Sequence, residues 1–306
     1  MARKETLLEL SALSMRGRQQ IIYQDISFRL RRGELVVLLG NSASGKTQLL
    51  RSLLGLSRPS SGEIRLFGSS RPGPELRRRL GLVLDQDAFF PQLTARQNLR
   101  YYSLHRGLVD DKTVLEKACE RVNFQAYDTL YLYLSSFQRR RLALALALLD
   151  EPDLLLLDEP FLGFSQEEQR ELLELLGQLA HQEKKGLLFT SSFFPRELQL
   201  CDYYALMAGG RMLSYLSFEE LQRRSGNCLC VTVDRPEACL NFLEQHYAFE
   251  DLEVESGMSL RIYDRRYESW ELNQLLVQEG FHVHSLHTET ESLEAYYQRL
   301  IKGKGA

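Results

Sequence analysis

The chain has 306 residues, enough for about two domains of ordinary size, so a large core can form without disulfide or metal crosslinks. Charged residues make up 26% of the sequence and apolar residues 44%, which argues against a disordered chain. The 38 basic and 41 acidic residues leave a formal net charge of -3. Because no general basic field exists, we expect no nucleic-acid partner.

Membrane insertion and secretion leave no signal in the sequence. No apolar run approaches the roughly 18 residues that a membrane-spanning helix needs, and charged residues stand where a signal peptide would be apolar. The five cysteines are odd in number and irregularly spaced, as in a reduced, cytosolic protein. Only Cys228 and Cys230 lie close in sequence, and adjacent inward-facing strand positions explain this pair better than a metal site.

The first two thirds of the chain alternate between strand and helix patterns. Residues Thr6–Leu13 and Ile26–Leu30 alternate apolar and polar, which predicts half-buried strands. The unbroken apolar run Leu35–Leu39 predicts a strand that is buried on both faces of a parallel sheet. The later elements predicted are the helix Gln48–Leu56, a mostly helical stretch at 85–149, the strand Leu154–Leu157, the helix Gln166–Gln182, the strand Leu187–Thr190 and the hairpin Tyr203–Leu213. This alternation indicates an α/β protein with a parallel, doubly wound sheet.

A polar linker at Arg223–Asn227 predicts a domain boundary, with one domain at 1–224 and a smaller one at 225–306. Beyond the linker the patterns follow the β-α-β-β-α-β order of a ferredoxin-like α+β domain, with one more helix at the end. The predicted elements are Cys228–Val233, Pro236–Tyr247, Leu252–Glu255, Leu260–Tyr263, Ser269–Glu279, Phe281–Leu286 and Ser292–Ile301. Its histidines, His282, His284 and His287, are interpreted as solvated or packed imidazoles, because no carboxylate or thiol partner is evident in the sequence.

A glycine-bearing loop between the buried strand and the next helix matches the pattern G-x-x-x-x-G-K-[ST]. Its residues are Gly40, Asn41, Ser42, Ala43, Ser44, Gly45, Lys46 and Thr47. Small residues let successive backbone N–H groups surround an anion, and the helix N-terminus adds partial positive charge. Lys46 can reach the β- and γ-phosphates of a nucleotide, and the Thr47 hydroxyl can bind Mg²⁺. The spacing favours ATP binding over an ordinary turn before a helix.

Two acidic residues follow the second buried strand directly. Asp158 and Glu159 stand at its carboxyl end, the edge of an open α/β sheet where ligands bind. Asp158 would hold Mg²⁺, directly or through water, and Glu159 can polarise an attacking water as a general base. The alternative, an Asp-Glu-Pro cap that merely starts a loop, is disfavoured because Lys46 is also present.

With these motifs the chain resembles the ATP-binding subunits of ATP-binding-cassette (ABC) transporters over about Thr6 to Leu216. The resemblance implies a phosphate-loop NTPase cassette, with a RecA-like sheet and a helical subdomain at about 87–150. Gln86 matches the glutamine that approaches Mg²⁺ and the attacking water in this family, ahead of a surface that receives the membrane subunit. Ser135, in Leu134–Gln138, takes the place of the signature serine, which in the family caps the ATP held by a second cassette.

Several positions depart from the family pattern. Phe137 follows Ser136 where two glycines are usual, and a phenyl ring there should obstruct close approach to phosphate. Ser165 stands where an aspartate is expected, and Ser192 occupies the position of the switch histidine. Serine can donate a hydrogen bond but cannot carry charge as imidazolium does. These departures predict slow hydrolysis or dependence on a partner subunit.

The adenine-stacking position, near Met15–Gly17, also departs from the family because it holds no aromatic residue. Arg16 could stack on the base through its guanidinium plane. Tyr23 is a second candidate, although a core contact suits it better.

The resemblance implies the ATP-hydrolysing motor of a membrane exporter, peripheral on the cytoplasmic face. Its partners would be integral-membrane permease subunits and a second cassette ATPase, identical or not. Export is indicated by Ser292–Tyr297, which is similar to a terminal motif of exporter-type cassette ATPases. The alternative is a low-activity, ATP-sensing or structural subunit of a heteromeric complex.

Overall fold

A computed structural model describes residues 4–17, 20–84, 89–108, 112–194, 200–225, 227–247, 249, 252–254, 258–263 and 267–304. Gln86 lies outside the described residues, so its predicted role stays a prediction. The chain divides into two compact units, Met1–Phe218 and Glu219–Ala306. In the described parts of the chain, no helix combines the length and the apolar character needed to cross a membrane.

The described residues of the first unit build one mixed sheet. Its strands are β1 (Thr6–Arg16), β2 (Ile21–Arg31), β3 (Leu35–Leu39), β4 (Ser61–Leu66), β5 (Leu80–Val83), β6 (Leu154–Leu157), β7 (Gly186–Ser191), β8 (Tyr203–Ala208) and β9 (Arg211–Ser217). They lie in the order β4-β1-β2-β9-β8-β3-β7-β6-β5. The five strands from β8 to β5 are parallel, as predicted. The rest of the sheet is mixed: β2 is parallel to β9, whereas β1 is antiparallel to β2 and β4. Strand β9 is antiparallel to β8, which is the predicted hairpin. Short turns join β1 to β2 and β8 to β9, and these leave no room for a crossover connection.

The central strands determine where a ligand site can form. Strands β3, β6 and β7 are buried along their whole length, as expected for a sheet covered on both faces. In the parallel register, Leu39 of β3 lies beside Ser191 of β7, and Leu157 of β6 lies beside Phe189. The carboxyl ends of the three strands therefore meet at one edge, where Gly40, Asp158 and Ser192 follow.

Helices fill the connections of the first unit. They are α1 (Lys46–Leu53), α2 (Pro74–Arg78), α3 (Ala95–His105), α4 (Lys112–Arg121), α5 (Ser136–Leu148) and α6 (Gln166–His181). Three of them lie in the stretch where the helical subdomain is predicted. Thr94, Ser135 and Ser165 begin α3, α5 and α6 with reciprocal side-chain caps. Such caps satisfy the first backbone N–H groups and determine where each helix starts.

The second unit has the predicted β-α-β-β-α-β order. After α7 (Phe218–Arg224) come β10 (Asn227–Val233), α8 (Pro236–Tyr247), β11 (Leu252–Val254), β12 (Ser259–Ile262), α9 (Ser269–Gln278), β13 (Val283–Thr290) and α10 (Leu293–Lys304). The sheet runs β11-β12-β10-β13, with every described pair antiparallel. Leu229 and Val231 of β10 belong to its apolar core, together with Leu243 of α8 and Leu272 of α9. The predicted domain boundary after Arg224 falls at the end of α7.

Candidate nucleotide site

The loop between β3 and α1 is shaped by two glycines. A Cβ atom on Gly40 would lie 2.3 Å from the carbonyl oxygen of Met207, which no side chain could tolerate. Gly45 has φ +92°, and a Cβ there would lie 2.6 Å from the carbonyl oxygen of Ile22. Ser44 is buried and its hydroxyl donates to the Asn41 carbonyl at 2.8 Å, which closes the loop on itself. The glycine spacing of the motif therefore has a steric cause in this fold.

The loop continues through Asn41, Ser42 and Ala43, all of which are exposed. They stand between the buried ends of the loop and are open to a ligand from solvent. This arrangement suits a backbone that wraps an anion.

Lys46 is buried at the start of α1, with 3% of its surface exposed. Its ammonium donates to the carbonyls of Gly40 at 2.6 Å and Asn41 at 3.0 Å, and to the Ser192 hydroxyl at 3.2 Å. The Glu159 carboxylate lies 3.6 Å from the same nitrogen. Burial lowers the pKa of Lys46, and the charge of Glu159 opposes part of that change. A buried cation among carbonyl oxygens is suited to bind a phosphate group.

Oxygen donors suited to Mg²⁺ lie beside the lysine. The Thr47 hydroxyl donates to Asp158 Oδ1 at 3.3 Å, and the Thr190 hydroxyl donates to the same oxygen at 2.7 Å. A cavity of about 240 Å³ adjoins Thr47, Asp158 and Glu159. Hydroxyl and carboxylate oxygens are the ligands that Mg²⁺ prefers, so Thr47 and Asp158 fit this ion. The sequence predicts Thr190 only as a strand residue and not as part of the site. Its position at the end of a buried strand is the sequence feature that could have indicated this role.

Glu159 is held from two sides by the end of β7. The Ser192 backbone N–H donates to Glu159 Oε2 at 2.9 Å, and the Ser192 hydroxyl donates to Oε1. The Glu159 backbone N–H donates to the Thr190 hydroxyl at 2.9 Å, and Glu159 itself has φ +44°. The structure therefore brings Ser192, Glu159 and Lys46 into one cluster, with a neutral serine where the family has histidine.

The predicted signature serine begins helix α5. The Ser135 hydroxyl accepts from the Gln138 backbone N–H at 3.1 Å, and the Gln138 side chain accepts from the Ser135 N–H at 2.9 Å. Phe137 packs edge-on against Phe164 with ring centres 5.2 Å apart, and the Arg141 guanidinium lies 4.5 Å from its ring centre. The ring is thus half-buried among side chains of its own chain. The action of Ser135 on a nucleotide stays a prediction.

The two candidates for adenine stacking have different surroundings. Arg16 is exposed at the end of β1, and its backbone N–H donates to the Ser60 hydroxyl at 3.0 Å. Tyr23 is completely buried, and its hydroxyl lies 2.7 Å from that of Ser52. Tyr23 is therefore the core contact that the sequence favours. Because no base can reach a buried ring, Arg16 remains the candidate for stacking.

A glycine loop around a buried lysine, with two carboxylates at the end of the next-but-one parallel strand, defines a phosphate-loop nucleotide-binding protein. The profile of the family described as ABC transporter matches residues 23–162. The bacitracin transport ATP-binding protein BcrA of Bacillus licheniformis is 30% identical over 303 residues, covering 97% of this chain and 98% of BcrA. The chain therefore belongs to the ATP-binding proteins of the ABC transporter family.

Two further comparisons give the breadth of this relationship. The Fe(3+) ions import ATP-binding protein FbpC 2 of Haemophilus influenzae is 34% identical over 216 residues, covering 68% of this chain and 60% of the relative. The solved structure of cbiO1 from Clostridium perfringens, described as part of the ABC transporter complex cbiONQ, matches with a TM-score of 0.67. At 21% identity it covers 80% of this chain and 97% of cbiO1, and it confirms the cassette fold.

Proposed function

We propose that this ABC transporter ATP-binding subunit hydrolyses ATP and thereby drives export through separate membrane subunits. The observation that carries the proposal is the Glu159 carboxylate, which lies 3.6 Å from the Lys46 nitrogen and is held by both donors of Ser192. A carboxylate held at this point can accept a proton from a water that attacks a phosphate bound by Lys46.

Nucleotide binding is assigned to the loop and the start of α1. Backbone N–H groups of the loop and the Lys46 ammonium would hold the phosphates, as anion nests at helix N-termini do. Thr47 and Asp158 would hold Mg²⁺, which when bound neutralises phosphate charge and polarises the phosphoryl oxygens. Thr190 keeps the Asp158 carboxylate oriented through its 2.7 Å hydrogen bond.

Hydrolysis is assigned to Glu159 as the general base. It would accept a proton from water as the water oxygen bonds to the γ-phosphorus and the bond to the bridging oxygen breaks. Ser192 holds both carboxylate oxygens, so the base is oriented without the positive charge that histidine would add. The test is ATP turnover after co-expression with a membrane partner: turnover well above that of the isolated chain supports the proposal, and an unchanged rate contradicts it.

Replacing Ser192 with alanine removes the hydroxyl donor but leaves the backbone N–H on Glu159. We expect ATP turnover by the complex to fall about fivefold, since one hydrogen bond contributes about 1 kcal/mol. Steady-state phosphate release measures this. Ser191→Ala is the matched control, because the Ser191 hydroxyl donates to the Phe193 carbonyl at 2.7 Å instead. Equal rates for both variants would argue against a positioning role of Ser192.

The direction of transport is proposed from the extent of the likeness. The match to the bacitracin transport protein covers 97% of this chain, including the second unit, whereas the match to the iron import protein covers 68%. A relative that shares both units is the better guide to the whole protein. Within the second unit, Ser292–Tyr297 is similar to a terminal motif of exporter-type cassette ATPases, and this likeness favours export. Substrate movement in vesicles of known orientation tests the direction, and uptake into the cytoplasmic compartment would contradict export.

The proposed binding surface for the membrane subunit is an exposed apolar patch formed by Phe90, Tyr101 and Leu104. These side chains are 40%, 46% and 50% exposed, respectively. Phe90 precedes α3, whereas Tyr101 and Leu104 belong to it. The ring centres of Phe90 and Tyr101 lie 4.9 Å apart. The patch follows the position of Gln86, where the family receives the membrane subunit. Large apolar groups grouped on a surface are typical of protein interfaces.

Phe90→Asp should abolish co-purification with the membrane subunit while nucleotide binding is retained. A charge in the centre of an apolar contact would be desolvated without a partner. Val114→Asp on α4, where the native side chain is 38% exposed, is the control for an added surface charge. Recovery of the complex at wild-type yield with Phe90→Asp would place the membrane subunit elsewhere.

A low-activity, ATP-sensing subunit is the second candidate function. It is favoured by Phe137, whose ring stands at the glycine position of the signature and is held by Phe164 and Arg141. A side chain there separates the backbone from any phosphate of a facing subunit. The Glu159 substitution described in the Discussion distinguishes the two functions.

A further inference from the structure

The sheet of the second unit has two faces of different character. Leu229 and Val231 of β10 point into the apolar core, so Cys228 and Cys230, which alternate with them, lie on the opposite face. The two cysteines are only 1% and 8% exposed, although this face also carries charged side chains. A pair of buried thiols among charged groups is an unusual use of cysteine.

The register of the sheet brings a carboxylate to the two thiols. Cys228 lies opposite Glu289 of β13, and the Cys230 sulfur lies 3.2 Å from Glu289 Oε2. The two sulfurs are 3.9 Å apart, and one donor atom from each of the three residues lies within 4.8 Å of the others. Among the described residues, no other group of histidine, cysteine and acidic side chains meets this criterion.

These separations agree with tetrahedral coordination of zinc. A Zn–S bond of about 2.3 Å at the tetrahedral angle separates two sulfurs by about 3.8 Å, close to the separation between Cys228 and Cys230. With a Zn–O bond of about 2.1 Å, sulfur and oxygen are separated by about 3.6 Å, so Cys230 and Glu289 need to move by only a few tenths of an ångström. Two of the three separations are thus close to those of one tetrahedral ion, and the third, between Cys228 and Glu289, is within 4.8 Å.

A candidate for the fourth ligand lies on the same face, outside the group of three donors, and a balancing charge lies beside Glu289. His287 of β13 lies directly opposite Cys230, and such cross-strand pairs have Cβ atoms about 4.5–5.5 Å apart, within reach of an imidazole. Arg261 of β12 lies 3.2 Å from Glu289 Oε2. Two thiolates and one carboxylate carry three negative charges, which a divalent ion and the Arg261 guanidinium balance together. The arginine thus offsets the excess charge and does not exclude the cation.

We propose that Cys228, Cys230 and Glu289 form a binding site for one thiophilic divalent cation of the Zn²⁺ class, with His287 as the fourth ligand. The sequence favours plain strand positions for the cysteines because spacing alone cannot show that β13 brings Glu289 beside them. Two thiolates select soft or borderline ions and disfavour Mg²⁺ and Ca²⁺. This site shares no residue with the nucleotide site, so a result against the metal site would leave the proposed function unchanged.

The experiment uses the reduced, metal-free full-length chain titrated with Co²⁺, which substitutes for Zn²⁺ and reports its ligands by absorption. We expect one Co²⁺ per chain, thiolate-to-cobalt charge-transfer bands, the visible bands of a tetrahedral ion, and displacement by Zn²⁺. Cys228→Ser and Cys230→Ser should each lower the intensity of the charge-transfer bands by at least half, and the double variant should remove them. Cys239→Ser, which removes a buried thiol from the apolar core, is the matched control and should keep them. Absence of charge-transfer bands in the wild-type chain overturns the proposal.

Glu289→Gln tests the site without loss of a buried side chain, because Glu289 is exposed and contributes little to the core. We therefore expect this variant to fold even if the cysteine variants do not. We expect it to weaken Co²⁺ binding at least tenfold while the sulfur bands remain. Glu244→Gln on the exposed surface of α8 should bind like the wild-type chain. Unchanged affinity for Glu289→Gln would contradict the three-residue site.

Discussion

Lys46→Ala is expected to lower the affinity of the chain for ATP at least 100-fold, about 2.7 kcal/mol of binding free energy. The Lys46 ammonium is buried at the N-terminus of α1, where the loop carbonyls hold it at 2.6 and 3.0 Å. Alanine would remove this cation from the carbonyl oxygens that surround it. Charge-assisted hydrogen bonds to phosphate in a partly dehydrated site are among the strongest that a side chain makes.

Titration with a fluorescent ATP analogue measures the loss. Lys184→Ala is the control, because Lys184 is exposed and its ammonium donates to the His181 carbonyl at 2.6 Å, at the end of α6. Circular dichroism checks that both variants are folded. Affinity within threefold of wild type for Lys46→Ala would remove the nucleotide site and every proposal that depends on it.

Those parts of the site that are contiguous in sequence could be predicted from sequence. The loop from Gly40 to Thr47 is one uninterrupted motif, and its glycines have local steric causes. Asp158 and Glu159 follow a buried strand directly, so the parallel sheet alone places them beside the loop. In these cases short-range patterns contain the necessary information.

Contacts that depend on tertiary register could not be predicted. The contact of Thr190 with Asp158 arises because β7 lies next to β6, and the sequence says nothing of that pairing. The same holds for Glu289, which the pairing of β13 with β10 brings to Cys228. Tyr23 illustrates the converse: the core contact that the sequence favours is found, with the ring buried in β2.

Two strands of the first sheet are absent from the sequence predictions for a related reason. Strand β4 reads Ser-Gly-Glu-Ile-Arg-Leu and is largely exposed, so no clean alternation marks it. Strand β5 has only four residues and follows three arginines, of which Arg79 pairs with Asp153 at 2.5 Å. Edge positions reduce the apolar pattern on which strand prediction depends.

Glu159→Gln should reduce ATP turnover by the complex with its membrane subunits at least 100-fold while ATP binding is retained. Glutamine preserves the size of the side chain, and its amide oxygen can still accept from the Ser192 backbone N–H while its NH2 group faces the Ser192 hydroxyl as a donor. It cannot take the proton of the attacking water. General bases contribute about 10²- to 10⁴-fold to such reactions. The carboxylate 3.6 Å from Lys46 is also lost, so the ammonium faces bound phosphate without a competing anion, which favours retention of ATP.

Phosphate release and ATP retention by the purified complex measure the two effects separately. Glu167→Gln is the control, since Glu167 is an exposed carboxylate in the first turn of α6. The complex with this variant should turn over ATP like the wild type. Unchanged turnover in the Glu159→Gln complex would show that hydrolysis takes place in the partner cassette. In that case Ser192 and Phe137 belong to a subunit that senses ATP. The contacts of Glu159 with Ser192 and Lys46 then stabilise the loop and do not activate water.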